Sequence, residues 1–335
     1  MKKAITLALT FLLAVLFTSC ASTGPKSGAA AGEALIKLMP KSTTGVMAFD
    51  FHRAMGTEAV AKALQDPKAK EKLDEFAKIS GIDLMKDISY VGVGLSGGGM
   101  NLQDGGVIVN MTYDKAKLQS LIKEKSPEAR EELYNGVTVY SNLDGSGDKQ
   151  MTRAAFLDAN HIILGSEKGV KGIIDVQMKK AESAAKNAEL AAVLKKVDKT
   201  NIAWGAILVP QALLQKGVAS SPQLKVLEGV KAISLTFDYR LNDLVADIQT
   251  HGGSKEQNAN LASTLNGFKA MGAMFAGQEP VVGEALNGIE ITSGADYTRL
   301  AIKLPQETLD KLGKVAQSKA GDLMKMKKGG EPDKD

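Results

Sequence analysis

Residues 233–241 read Ile233-Ser234-Leu235-Thr236-Phe237-Asp238-Tyr239-Arg240-Leu241. The five apolar or aromatic residues alternate without a break with Ser234, Thr236, Asp238 and Arg240. A period of two belongs to a strand with one face in a core and the other toward polar surroundings. Asn242-Asp243 predicts the turn that follows. Leu244, Ala246 and Ile248 then bring a second strand back with its apolar side chains on the same core face. Long antiparallel hairpins with helices between them define an α+β chain. The expected form is two modules of mostly antiparallel sheet, each with its helices on one face.

The same grammar extends in both directions. Gly45–Phe51, Ile88–Leu95, Val107–Tyr113, Val137–Tyr140, Ala154–Leu157 and Ile162–Leu164 read as strands before the hairpin. Ile202–Val209 also precedes it, and Ile289–Thr292 and Leu300–Leu304 follow it. The helices are punctuated by caps: Asp66-Pro67 opens one and Gly81 closes it, and Asp114 opens another. Ser254 with Gln257 makes a capping box for a third. A last helix starts at Pro305. Both halves run strand, helix, hairpin, helix, further strands, helix, which suggests an internal duplication. The expected division is a signal peptide over 1–19 and a lipidated flexible tether over 20–43. One module spans 44–180 and the other 200–320. A helical connector with Leu190, Val193, Leu194 and Val197 on one stripe occupies 181–199, and a charged disordered tail 321–335.

The amino terminus carries the most specific signal. Lys2-Lys3 is followed by an uncharged apolar run from Ala4 to Phe17 and then Thr18-Ser19-Cys20. This is the layout of a secretory signal, and at about fourteen residues the run is shorter than the ~20 that a spanning helix needs. Cys20 is the only cysteine among 335 residues, which excludes an internal disulfide and any multi-cysteine metal site. Leu16, Thr18, Ser19 and Cys20 resemble a bacterial lipoprotein lipobox, with Phe17 where an aliphatic residue is usual. The resemblance implies cleavage before Cys20, a diacylglycerol thioether on its sulfur, and acylation of the new amine, so that palmitate label should enter there. More than one chain is needed for stable anchoring, at about 0.8 kcal/mol per buried methylene. Cleavage removes Lys2 and Lys3 and lowers the formal charge of +4 by two. Ala21 in place of Asp implies, in the enterobacterial sorting scheme, the outer membrane, with the body facing the periplasm. Residues 21–33 are small and Gly-rich, the composition of a tether.

The body also carries a diffuse resemblance. Phe156-Leu157-Asp158-Ala159-Asn160-His161-Ile162-Ile163-Leu164-Gly165-Ser166 and Gly81-Ile82-Asp83-Leu84-Met85-Lys86-Asp87-Ile88 resemble exported bacterial proteins of unknown function built from duplicated α+β modules. It implies no catalytic residue.

Composition narrows the chemistry. The chain is 44% hydrophobic and 24% charged, with three histidines and a small basic excess, which gives no nucleic-acid signature. Gly92-Val93-Gly94-Leu95-Ser96-Gly97 matches a dinucleotide fingerprint in letters, but no helix start follows it. The overlapping Gly94-Leu95-Ser96-Gly97-Gly98 matches a nucleophile elbow, and Asp158 and His161 follow in hydrolase order. That makes a serine hydrolase the remote alternative. Asp144–Asp148 begins like a calcium loop and then departs from it at Lys149 and Ala155. His52, His161 and His251 lack metal-ligand spacing, so neither metal nor cofactor is expected. Lys325, Lys327 and Lys328 belong to the charged tail. Phe268, Met271, Met274 and Phe275 form a soft apolar stretch that could wall an apolar ligand. The expectation is a non-enzymatic lipoprotein, attached to the membrane through Cys20, that binds or assembles with an envelope protein. The alternative is a periplasmic carrier or sensor of an apolar ligand.

Overall fold

The computed structural model describes residues 28–96, 104–143, 153–277 and 279–328. The signal segment, Cys20, tether residues 20–27, Gly97 and Gly98 and the loop Asp144–Asp148 lie outside the described residues. Twelve strands form one antiparallel sheet: β1 Thr43–Asp50, β2 Ile88–Ser96, β3 Gly106–Met111, β4 Arg130–Tyr134, β5 Val137–Ser141, β6 Arg153–Phe156, β7 His161–Gly165, β8 Ala203–Leu208, β9 Val230–Arg240, β10 Asp243–Gly252, β11 Ile289–Ser293 and β12 Tyr297–Pro305. Their order is β11-β12-β10-β9-β8-β1-β2-β3-β7-β6-β5-β4. The α+β, antiparallel reading holds. Two separate sheets do not form, because β1 and β8, the first strands of the two halves, pair from Gly45↔Ile207 to Phe49↔Ala203. Outward from this seam both halves show the same order. A hairpin comes first, and its third strand is then joined by a later one (β3 by β7, β10 by β12). Among the described residues β4 and β5 have no counterpart in the second half.

One cross-strand row decides how the sheet is covered. It runs Glu290, Ala301, Asp247, Thr236, Trp204, Ala48, Gly92, Ile108, Ile163, Ala155, Val139, Glu132 from edge to edge. Side chains on a row share a face. This face is therefore apolar from β8 to β5 and polar from β9 to β11. The helices Ala29–Ile36, Glu167–Gln177 and Ala188–Leu194 close the apolar part, burying Leu35, Ile173 and Leu190 against Ile108, Ile163 and Trp204. The opposite face of the first half buries Val91 and Val109 under Phe51, Met55, Val60 and Ile82 from the helices and loops of residues 51–87. Helices therefore cover both faces of the first half, not the single face expected.

Other expectations shift for local reasons. The tether was expected to reach residue 43. Instead Ala29–Ile36 is a helix, with Leu35 and Met39 buried in the core. Buried Asp50 holds its start, accepting from Gly28 N at 2.8 Å while also capping Phe51–Ala54 through Arg53 N. Burial raises the Asp50 carboxyl above its ordinary range. The β9–β10 turn is Leu241-Asn242, one residue earlier than expected, because Arg240 pairs with Asp243. Both turn residues have positive φ, 51° and 67°, the requirement of a two-residue turn that follows the sheet twist. Leu241 is thereby fully exposed rather than in the core. Over residues 233–241 the buried side chains are polar Ser234 and Asp238, and across the turn Ile248 is exposed. The last helix runs Gln306–Lys328 and takes in the first part of the expected disordered tail, Lys325, Lys327 and Lys328 included; residues 329–335 lie outside the described residues. In residues 181–199, Leu190, Val193, Leu194 and Val197 are all buried in the core against the sheet.

Glycine substitutions test this packing with opposite signs. In the helix Ala29–Ile36, a Cβ on Gly32 would lie 2.6 Å from the Trp204 ring and 2.8 Å from the Tyr90 hydroxyl. Gly267, inside the helix Lys255–Met274, has open space. Helix propensity alone favours Gly→Ala by about 1 kcal/mol at both. Thermal unfolding should show Gly267→Ala stabilising by about that amount and Gly32→Ala destabilising; a gain in melting temperature for both would refute the close approach.

Candidate functional site

The polar part of the sheet face stays uncovered by helices and forms the floor of a cavity of about 460 Å³. Three successive rows build the floor. Ser234, Gln249, Arg299 and Thr292 make the first. Thr236, Asp247, Ala301 and Glu290 make the second, and Asp238, Val245 and Lys303 the third. Lys196, Val197 and Asp198, just past the helix Ala188–Leu194, form a wall. Register explains the placement: alternation on β9 and β10 sends Ser234, Thr236, Asp238, Arg240, Asp243, Asp247 and Gln249 to this side.

Most of the charge here is already paired. Arg240 donates to Asp238 and to Asn201. Asp238, 4% exposed at its side chain, also takes the Arg53 guanidinium at 3.0 and 3.2 Å, which ties the two halves together. Lys303 lies 3.1 Å from Asp243, and Lys196 2.7 Å from Asp296, whose carboxyl it holds below the usual range. Arg299 donates through Nε to Asp247 at 2.5 Å. Its two terminal nitrogens and the Glu290 carboxylate have no protein partner among the described residues.

Ser234 Oγ and His251 Nε2 stand 2.7 Å apart, both residues buried. Burial is the main cause that lowers the His251 pKa, with Lys196 adding to it and Asp296 opposing, so the ring is neutral at neutral pH. Among the described residues its Nδ1 has no partner. A buried N–H without an acceptor costs about 1–3 kcal/mol. The proton therefore sits on Nε2 and is donated to Ser234. A ring nitrogen that carries a proton cannot accept one, so this pair is a fixed polar strut and not a nucleophile with its base.

The sequence-derived candidates fall elsewhere. Ser96 ends β2, is buried, and leads from a strand of an antiparallel hairpin. His161 pairs with Asn110, which pairs with Tyr90, six residues back along β2. At about 3.3 Å per residue, Ser96 is ~20 Å from the His161 row, and the hydrolase order of Ser96, Asp158 and His161 makes no triad. His161 is instead fully engaged: Nδ1 meets Asp158 at 2.8 Å and Nε2 meets the Asn110 amide at 2.8 Å. Among the described residues no group of three His, Cys, Asp or Glu could hold a metal ion. Phe268, Met271 and Met274 face solvent on the helix Lys255–Met274, exposed by 57%, 52% and 81%, and none of them lines the cavity. The side chain of Phe275 lies outside the described residues. Arg299, Glu290 and the Ser234–His251 pair escaped the sequence reading. Alternation marked their face, but only the pairing of β10, β11 and β12 brings them together.

No family model and no curated protein matches the chain. Three solved crystal forms of TP0453, an outer-membrane-associated lipoprotein of Treponema, are weakly similar in structure. Form III matches with TM-score 0.47 and 12% identity, over 82% of this chain and 95% of that one. Form I gives 0.44 and 11% over 86% and 96%, and form IV 0.38 and 10% over 83% and 95%. At this level the matches transfer no residue role. Among the described residues no helix is long and apolar enough to cross a membrane.

The buried histidine has a pH consequence. Its folded pKa lies below the ordinary 6.5, so its stabilising contribution is complete above that value and is lost as pH falls through it. Denaturant unfolding from about pH 7.5 to about 5.5 should show declining stability, at most about 1.4 kcal/mol per pH unit from this group. His251→Gln should flatten that decline; an unchanged slope would assign it to other groups.

Proposed function

We propose that this chain is a lipid-anchored protein of the bacterial envelope that works as a non-enzymatic binding or assembly module. The observation that carries the reading is the place of the sole cysteine, Cys20, at the end of a basic-then-apolar signal. Gly28, fixed by Asp50, shortens the tether to eight residues beyond Cys20. Fully extended, eight residues span at most about 29 Å. The outer membrane, facing the periplasm, is the location that Ala21 favours.

The exposed strip of Phe268, Met271 and Met274 favours a second reading, a carrier or sensor that meets an apolar ligand or partner at this helix. Native mass spectrometry of the protein released from membranes decides it: retained lipid that Met271→Asp with Met274→Asp abolishes supports a carrier, and its absence removes that reading.

For the anchor, Cys20→Ala should abolish palmitate labelling and move the protein from the membrane to the soluble envelope fraction. Labelling that persists in the variant would overturn the assignment.

A further inference from the structure

We propose that the cavity on the polar sheet face binds a small zwitterion, an α-amino acid with an aliphatic side chain, with its carboxylate on Arg299 and its ammonium on Glu290. The proposal deepens the binding-module reading by naming a ligand class, and it rests on the cavity alone, not on the anchor.

The argument is what remains unspent in the cavity. Lys196 and Lys303 are paired with Asp296 and Asp243, and Arg240 shares Asp238 with Arg53 and lies 3.8 Å from Asp198. Asp198 accepts from the Thr200 hydroxyl and amide. Asp247 accepts from Gln249 and from Arg299 Nε. Two groups are left: the outer edge of the Arg299 guanidinium, which offers donors in the fork geometry that suits a carboxylate, and the free Glu290 carboxylate. Glu290 pairs with Ala301, two residues from Arg299 on the same face. Such diagonal neighbours lie about 7–8 Å apart, close enough for one amino acid to reach both. The Ser234 hydroxyl, which receives its hydrogen bond from His251, keeps its own proton for a ligand oxygen in the Arg299 row. Val197, Val245 and Ala301 supply the apolar surface for the side chain. Arg299 is already paired with Asp247 through Nε, so the uncompensated charge is that of Glu290, which repels a plain anion; a ligand whose ammonium meets Glu290 while its carboxylate takes the remaining Arg299 donors uses both groups.

Isothermal titration of the lipidated, detergent-solubilised full chain with L-leucine, 4-methylpentanoate and isoamylamine tests this. These probes share one carbon skeleton, and the second and third lack the amine and the carboxylate. L-Leucine should bind at least tenfold more tightly than either. Glu290→Gln should weaken L-leucine about tenfold and leave 4-methylpentanoate unchanged, and Arg299→Met should abolish binding of both, with thermal unfolding of each variant as the folding control. Glu290 is at an exposed edge and keeps the test intact if Arg299→Met does not fold. Binding of 4-methylpentanoate as tight as that of L-leucine, L-leucine affinity unchanged in Glu290→Gln, or no binding of any probe at millimolar concentration would overturn the proposal. Those outcomes leave the Cys20 anchor untouched, since palmitate labelling reads it separately.

Discussion

The pairing of β1 with β8 is the contact on which the rest of the molecule depends. It turns two half-sheets into one and removes an edge from each, where unpaired N–H and C=O groups would otherwise invite association. Trp204, on β8, crosses the seam and donates its indole N–H to the Tyr90 hydroxyl on β2 at 2.8 Å. Both rings are fully buried. Burial is the main cause that pushes the Tyr90 phenol up to about 12, so it stays a neutral partner. Removing a core tryptophan typically costs about 3–5 kcal/mol. Here it would also leave a buried hydroxyl unpaired.

That seam also sets the asymmetry of the faces. The row through Trp204 and Ala48 is apolar toward the first half and polar toward the second. Helices are recruited only where there is apolar surface to bury. The helix Ala29–Ile36 lands on Trp204, and the polar rows of β9, β10, β12 and β11 stay open. The cavity is thus a by-product of where the core stops. The ion pair from Arg53 to Asp238 marks its border: buried Asp238 would be costly without Arg53 and Arg240 beside it.

A thin core in the second half accompanies this arrangement. Among the described residues Leu261, Ala262 and Val281 are its buried helical apolar residues, against dozens of buried positions around β1 to β8. Phe268, Met271 and Met274, which sequence pattern places on a helix face, remain exposed. Stability in such a structure is uneven, and the outer helices belong to the end that opens most readily.

Local chemistry determined much of this protein from the sequence alone. Period-two alternation marked the strands, and Asp66, Asp114 and Ser254 marked helix starts because their side chains accept from the first free amides. Pattern could not decide which strands become neighbours. Alternation in β9 says that two faces differ but not which is covered, and the deeper side chains proved to be Ser234 and Asp238. The tether composition of residues 21–33 was read as uniform, yet Gly32 lies in a helix since only a residue without Cβ can approach Trp204 so closely. Arg299 and Glu290 meet through the register of the β11–β12 hairpin, but their place beside Asp247 and Ser234 comes from β12 pairing with β10, a long-range contact that no local signal encodes.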